Sequence, residues 1–76
     1  MDIRRGRVRE WHDEEGWGVV EAPGFDDPVW VHFSVIDAAS AGPGGYRELR
    51  AGAEVELTAE RAEQDGYHWR ATWVRG

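Results

Sequence analysis

The side chains of this chain best equipped for chemistry are its rings: five tryptophans, three histidines and two phenylalanines among 76 residues. A domain this small buries only some of them. Large rings left on a surface mark a binding face, since each offers a flat apolar area with a polar edge. Metal ligation is the poorer reading of the histidines, because His12, His32 and His68 lack tight ligand spacing and the chain contains no cysteine. Covalent catalysis also finds little to use. Ser34 and Ser40 sit in no nucleophile motif beside a histidine and an acid, and no substantial apolar pocket is evident that would raise the pKa of a carboxylate. All nine basic residues are arginine, which excludes a phosphate loop ending in Gly-Lys-Ser/Thr and any lysine Schiff base. The expectation is a binding protein and not an enzyme, with no cofactor, no metal and no small-molecule substrate.

Elements that position such rings must be short. Proline and glycine punctuate the chain at Gly16, Pro23-Gly24, Pro28, the glycine-rich run Gly42 to Gly45, Gly52 and Gly66. The segments between them, Arg7 to Trp11, Trp17 to Glu21, Val29 to Phe33, Glu54 to Ala59 and Tyr67 to Val74, are rich in β-branched and aromatic residues. They predict five strands. A five-stranded sheet leaves two exposed edges unless it curls closed, so the fold class is all-β, a five-stranded antiparallel barrel. The length suits one domain over residues 1–76, held by packing without disulfides. Ser40 to Gly45 reads as a flexible loop, and the charged stretch from Glu48 to Gln64 as solvated faces.

Residues two apart in a strand share a face. Trp17 and Val19 therefore oppose Gly18 and Val20, while Trp30 and His32 oppose Val29, Val31 and Phe33. The small aliphatics suit the interior. Trp17, Trp30 and His32 then lie together on the outside as a ring-bearing platform, with both tryptophans dispensable for folding. Phe33, at a strand end, can swing to either side. Trp69 and Trp73 share a face of the last strand and read as packing or edge-covering rings.

Charge argues the other way. Fifteen acids against nine bases give a net charge of −6, which disfavours approach to a polyanion. Arg4, Arg5, Arg7 and Arg9 nevertheless cluster on the first strand as a candidate phosphate track. No apolar run approaches the length of a membrane span, and the first residues lack a secretion signal, so the expectation is a cytoplasmic protein without membrane contact.

Three motifs in order carry a resemblance: Gly6-Arg7-Val8-Arg9-Glu10-Trp11-His12, then Gly16-Trp17-Gly18-Val19-Val20, then Val29-Trp30-Val31-His32-Phe33-Ser34. Together with Gly45-Tyr46-Arg47-Glu48-Leu49-Arg50-Ala51-Gly52 and the strand bearing Val55, Leu57 and Thr58, they resemble the cold-shock domain. That family has a Gly-Phe-Gly-Phe-Ile motif and a Val-Phe-Val-His-Phe-Ser motif on a five-stranded barrel of the oligonucleotide/oligosaccharide-binding (OB) class. The match covers residues 6–34 and 45–58, and thereafter only Ala71-Thr72-Trp73-Val74 is similar.

The resemblance implies binding of single-stranded RNA or DNA, as an RNA chaperone or transcription-linked regulator. Residue by residue, it assigns nucleic-acid contact to Arg9, Trp11, Trp17, Val19, Trp30, His32, Phe33 and Tyr46. Stacking serves such a role because every base has a π face, at about 1–3 kcal/mol per base. Tyr46 either borders a base or packs beneath its own loop. The pattern departs at three places: Glu10 stands where the family has a tryptophan, Glu15 where it has a lysine, and Val19 where it has a second phenylalanine. A bulge in the first strand would turn Trp11 onto the platform. Those departures and the net charge support a second reading, a diverged barrel that binds a protein partner through its acidic, tryptophan-bearing surface.

Overall fold

The computed structural model describes residues 2–42, 44 and 47–76. Tyr46 lies outside the described residues, as do Pro43 and Gly45 of the glycine-rich loop. Five strands, β1 (Arg4–His12), β2 (Trp17–Glu21), β3 (Val29–His32), β4 (Glu54–Gln64) and β5 (Tyr67–Arg75), close into a barrel in the order β1-β2-β3-β5-β4. This is the OB architecture. Its seam between β3 and β5 is parallel, pairing Val29 with Trp69 and Trp30 with Arg70, and the other neighbours are antiparallel. A closed ring with an odd number of strands cannot alternate direction all the way round, so the all-antiparallel expectation had to fail at one seam. The Ile36–Val74 bridge lengthens that seam.

The interior is aliphatic. Val8, Val20, Val29, Val31, Ile36, Leu49, Val55, Leu57, Ala71 and Val74 form one buried cluster, as the alternation in β2 and β3 requires. β4 runs to Gln64, beyond the Ala59 limit read from composition, because β5 pairs with it from Tyr67 onward and supplies the ladder that its charged residues do not invite. Among the described residues between β3 and β4 are the single-turn 3₁₀ helices Phe33–Val35 and Ala38–Ser40. No helix among the described residues is long and apolar enough to cross a membrane.

Two bulges change which side chains face outward. In β1, Val8 pairs with Val20 but Glu10 pairs with Val19, leaving Arg9 as the extra residue. Beyond it Glu10 and His12 share the outer face with Val19 and Trp17, while Trp11 pairs with Gly18 and packs against the core. The bulge is present, but it turns Trp11 inward and not onto the platform. Gly18 is required there, since an added Cβ would collide with the Glu10 carbonyl and the Trp11 ring. In β5 the register shifts between Ala71 and Trp73, so Trp69 packs with Ala71 toward the core while Trp73 pairs with Thr58 on the other side. The shared face expected for the two tryptophans is thereby lost.

Candidate nucleic-acid interface

Strand register builds the outer face in rows. One row runs from His12 on β1 through Trp17 on β2 to His32 on β3. The next runs from Glu10 through Val19, Trp30 and Arg70 to Glu60, crossing all five strands. The platform residues read from the sequence, Trp17, Val19, Trp30 and His32, are brought together here.

The rings form a connected array. His12 and Trp17 are 4.2 Å apart at 31°, Trp17 and Trp30 6.5 Å apart at 23°, and Trp30 and His32 5.8 Å apart at 26°. Phe33 continues the array 4.6 Å from His32, and Tyr67 flanks Trp17 at 6.5 Å. Exposure along the array is uneven. Trp30 keeps only 9% of its surface accessible and Val19 only 1%, although both lie outside the core cluster. These two form the floor of the platform, covered by their neighbours. Trp30 has the predicted face but not the free surface expected of it, and its indole N–H has no hydrogen-bond partner among the described residues. Trp17 and His32 are half-buried and Phe33 is 44% exposed.

Local geometry fixes the rim. Phe33 leaves β3 to begin the first 3₁₀ turn, and its N–H donates to the Gly16 carbonyl at 2.8 Å. Gly16 holds a φ of 75° and lies so near the Phe33 ring that an added Cβ would come within 2.8 Å of it. Nδ1 of His32 accepts from the Ser34 N–H at 3.2 Å and lies 2.7 Å from the Ser34 hydroxyl. That acceptor role leaves the ring proton on Nε2, so His32 presents a donor.

The electrostatics of this face are mixed. Nε2 of His12 donates to Glu10 at 2.6 Å, and the Trp17 indole N–H donates to Glu15 at 3.3 Å. Arg9 is exposed at the bulge and makes no ion pair among the described residues, whereas Arg70 pairs with Glu60. The expected arginine track on β1 is interrupted. Arg7 faces Glu54 at 4.0 Å, and Arg4 lies over the Phe25 ring at 5.7 Å. Sequence reasoning missed His12, Tyr67 and Arg70 as members of this surface. His12 required knowledge of the bulge, and the other two required the β3–β5 seam, which no local motif announces.

Away from the platform, the two tryptophans of β5 are anchored by carboxylates. Trp69 donates to Asp26 at 2.9 Å and Trp73 to Asp37 at 3.0 Å. The Trp69 indole holds the Asp26 carboxyl below its ordinary value, and the backbone N–H of Ala39, followed by the Trp73 indole, does the same for Asp37.

No family model matches the chain. Individual curated proteins do. Cold shock protein CspD of Bacillus subtilis is 38% identical over 55 residues, 72% of this chain and 74% of that protein. Major cold shock protein CspA of Bacillus cereus is 34% identical over 59 residues, 78% of this chain and 79% of its own length. Cold shock protein CapA of Pseudomonas fragi is 30% identical over 59 residues, covering 78% and 84% of the two chains. Similarity of that extent, on a closed barrel with the glycine and histidine motifs side by side on β2 and β3, makes this chain a member of the cold-shock protein family.

Proposed function

We propose that this barrel binds single-stranded RNA or DNA by stacking unpaired bases on its outer aromatic face, and that it serves as an RNA chaperone or a transcription-linked regulator. The observation that carries the reading is the connected ring array from Tyr67 through Trp17, Trp30 and His32 to Phe33, with His12 against Trp17. Trp17, His12, His32 and Phe33 offer the accessible rings, and Trp30 and Val19 support them from beneath. Arg9 offers a phosphate contact at the bulge. Trp11 acts through the fold, by seating β1 against Gly18. The role of Tyr46 stays as the family resemblance assigns it, at the border of a base. Binding here involves no chemical step and no cofactor, and the site of action is the cytoplasm.

Titration with a pyrimidine-rich single strand tests this reading. Tryptophan fluorescence is quenched as bases stack on Trp17, and duplex competes poorly because its paired bases hide their π faces. Equal quenching by duplex would overturn it. A second reading, docking of a protein partner on the same acidic surface, is favoured by one observation: Arg7, Arg61, Arg70 and Arg75 are each already paired with a carboxylate of this chain.

A further inference from the structure

Two carboxylates meet the edges of the His12–Trp17 ring pair on the platform. Glu10 accepts from the imidazole of His12 at 2.6 Å, Glu15 accepts from the indole of Trp17 at 3.3 Å, and the two rings themselves are 4.2 Å apart. Both acids are on the outer side of the sheet: Glu10 through the β1 bulge, Glu15 through the turn that ends at Gly16. A base lying on either ring brings its polar edge within one side-chain rotation of a carboxylate.

A carboxylate only accepts hydrogen bonds, and it has two oxygens in a fork. Guanine alone among the common bases sets two donors side by side on its Watson–Crick edge, N1–H and N2–H, and a charge-assisted pair with both is the strongest match available. Thymine and uracil flank a single N–H with two carbonyl oxygens, which a carboxylate repels. Adenine and cytosine offer one amino group beside a ring acceptor. The row that begins at Glu10 also contains the unpartnered indole N–H of Trp30, a donor for a carbonyl such as guanine O6. That N–H is closed to solvent and is reached only when the ring tilts, so the carboxylates set the preference.

We propose that Glu10 and Glu15 make this platform selective for unpaired guanine over thymine or uracil. The inference rests on the single-strand binding proposed above. Its test uses the whole protein with four short strands: an oligothymidylate, and the same strand with one central guanine, one central inosine or one central adenine. Inosine keeps N1–H and lacks the N2 amino group. Fluorescence titration is expected to show the guanine strand binding about tenfold more tightly than oligothymidylate, with most of that gain lost for inosine and adenine. Glu10→Gln and Glu15→Gln keep the side-chain shape but not the double acceptor, and the double variant is expected to bind the guanine and thymine strands alike. Equal binding of those two strands by the unmodified protein overturns the guanine preference and leaves stacking intact. A guanine preference that persists in the double variant overturns the assignment to these carboxylates. No quenching by any strand overturns both the stacking reading and this inference.

Discussion

Trp17 and Trp30 share one face of the barrel, 6.5 Å apart and 23° from parallel, yet only Trp17 keeps substantial accessible surface. The pair divides support from contact. Trp30 stands between Trp17 and His32 and packs as a buried residue does, while Trp17 and Phe33 mark the wet rim.

That division predicts different penalties for truncating the two tryptophans. Trp17→Ala is expected to cost about 1–3 kcal/mol of affinity for a single strand with little loss of fold stability. Trp30→Ala removes a covered ring and leaves a cavity, costing about 3–5 kcal/mol of stability. Urea denaturation followed by circular dichroism, beside titration of each folded variant, separates the two. Equal stability of both variants would show that Trp30 is as dispensable as its outward strand position first suggested.

Restoring family-like residues at the acidic positions is expected to strengthen binding to oligothymidylate. Glu15→Lys replaces phosphate repulsion by attraction, and its advantage fades as salt rises. Glu10→Trp adds a stacking surface worth about 1–3 kcal/mol, largely independent of salt. Titrations at two ionic strengths distinguish the mechanisms. If the surface instead serves a protein partner, Glu15→Lys weakens that complex and gains nothing for single strands.

Gly18→Ala is expected to destabilise the barrel by about 1–3 kcal/mol, since the new methyl group meets the Glu10 carbonyl and the Trp11 ring at the bulge. Pairing it with Trp11→Leu offers room for the methyl group. Thermal unfolding of the single and double variants is the measurement, and strict additivity would show that the Trp11 contact is not the source of the strain.

Acid is expected to loosen the anchors of Trp69 and Trp73. Asp26 and Asp37 have carboxyls held below their ordinary value, by the Trp69 indole and by the Ala39 N–H with the Trp73 indole respectively. A lowered folded value contributes stability that is present above the ordinary carboxylate pKa and lost as pH falls through the folded one. His68 runs the opposite way. Its hydrogen bond and charge contact with Glu63 raise its pKa, so its contribution is present below the ordinary histidine value and lost as pH rises through the folded one. Proton NMR of His68 in Glu63→Gln is expected to show its titration moving back down. An unchanged midpoint would assign the shift to another group.

The alternation Trp17-Gly18-Val19-Val20 made the two faces of β2 legible, and the valines of β3 marked the interior as plainly. What stayed hidden depended on residues that carry no signature of their own. Arg9 in β1 looks like any exposed strand residue, yet as the extra residue of a bulge it decides that His12 and not Trp11 meets Trp17. Thr72 separates Trp69 from Trp73 in the same way. The burial of Trp30 was illegible for a third reason: its partner Arg70 arrives on β5, across a seam between strands far apart in the chain.

Those seams also govern time. The β1–β2–β3 meander and the β4–β5 hairpin can each form from neighbours in sequence, but the ring closes only when Arg4 finds Leu57 and Val29 finds Trp69. Contacts of such separation require loop-closure entropy to be lost before they stabilise anything, so folding is expected in roughly the millisecond-to-second regime of barrels and not the microsecond regime of helical bundles. Before closure, the open strands β1, β3, β4 and β5 expose unpaired edges to other chains. The interval before closure is therefore when the protein is most exposed to aggregation, and substitutions at Val55, Leu57 or Val74 act on its duration.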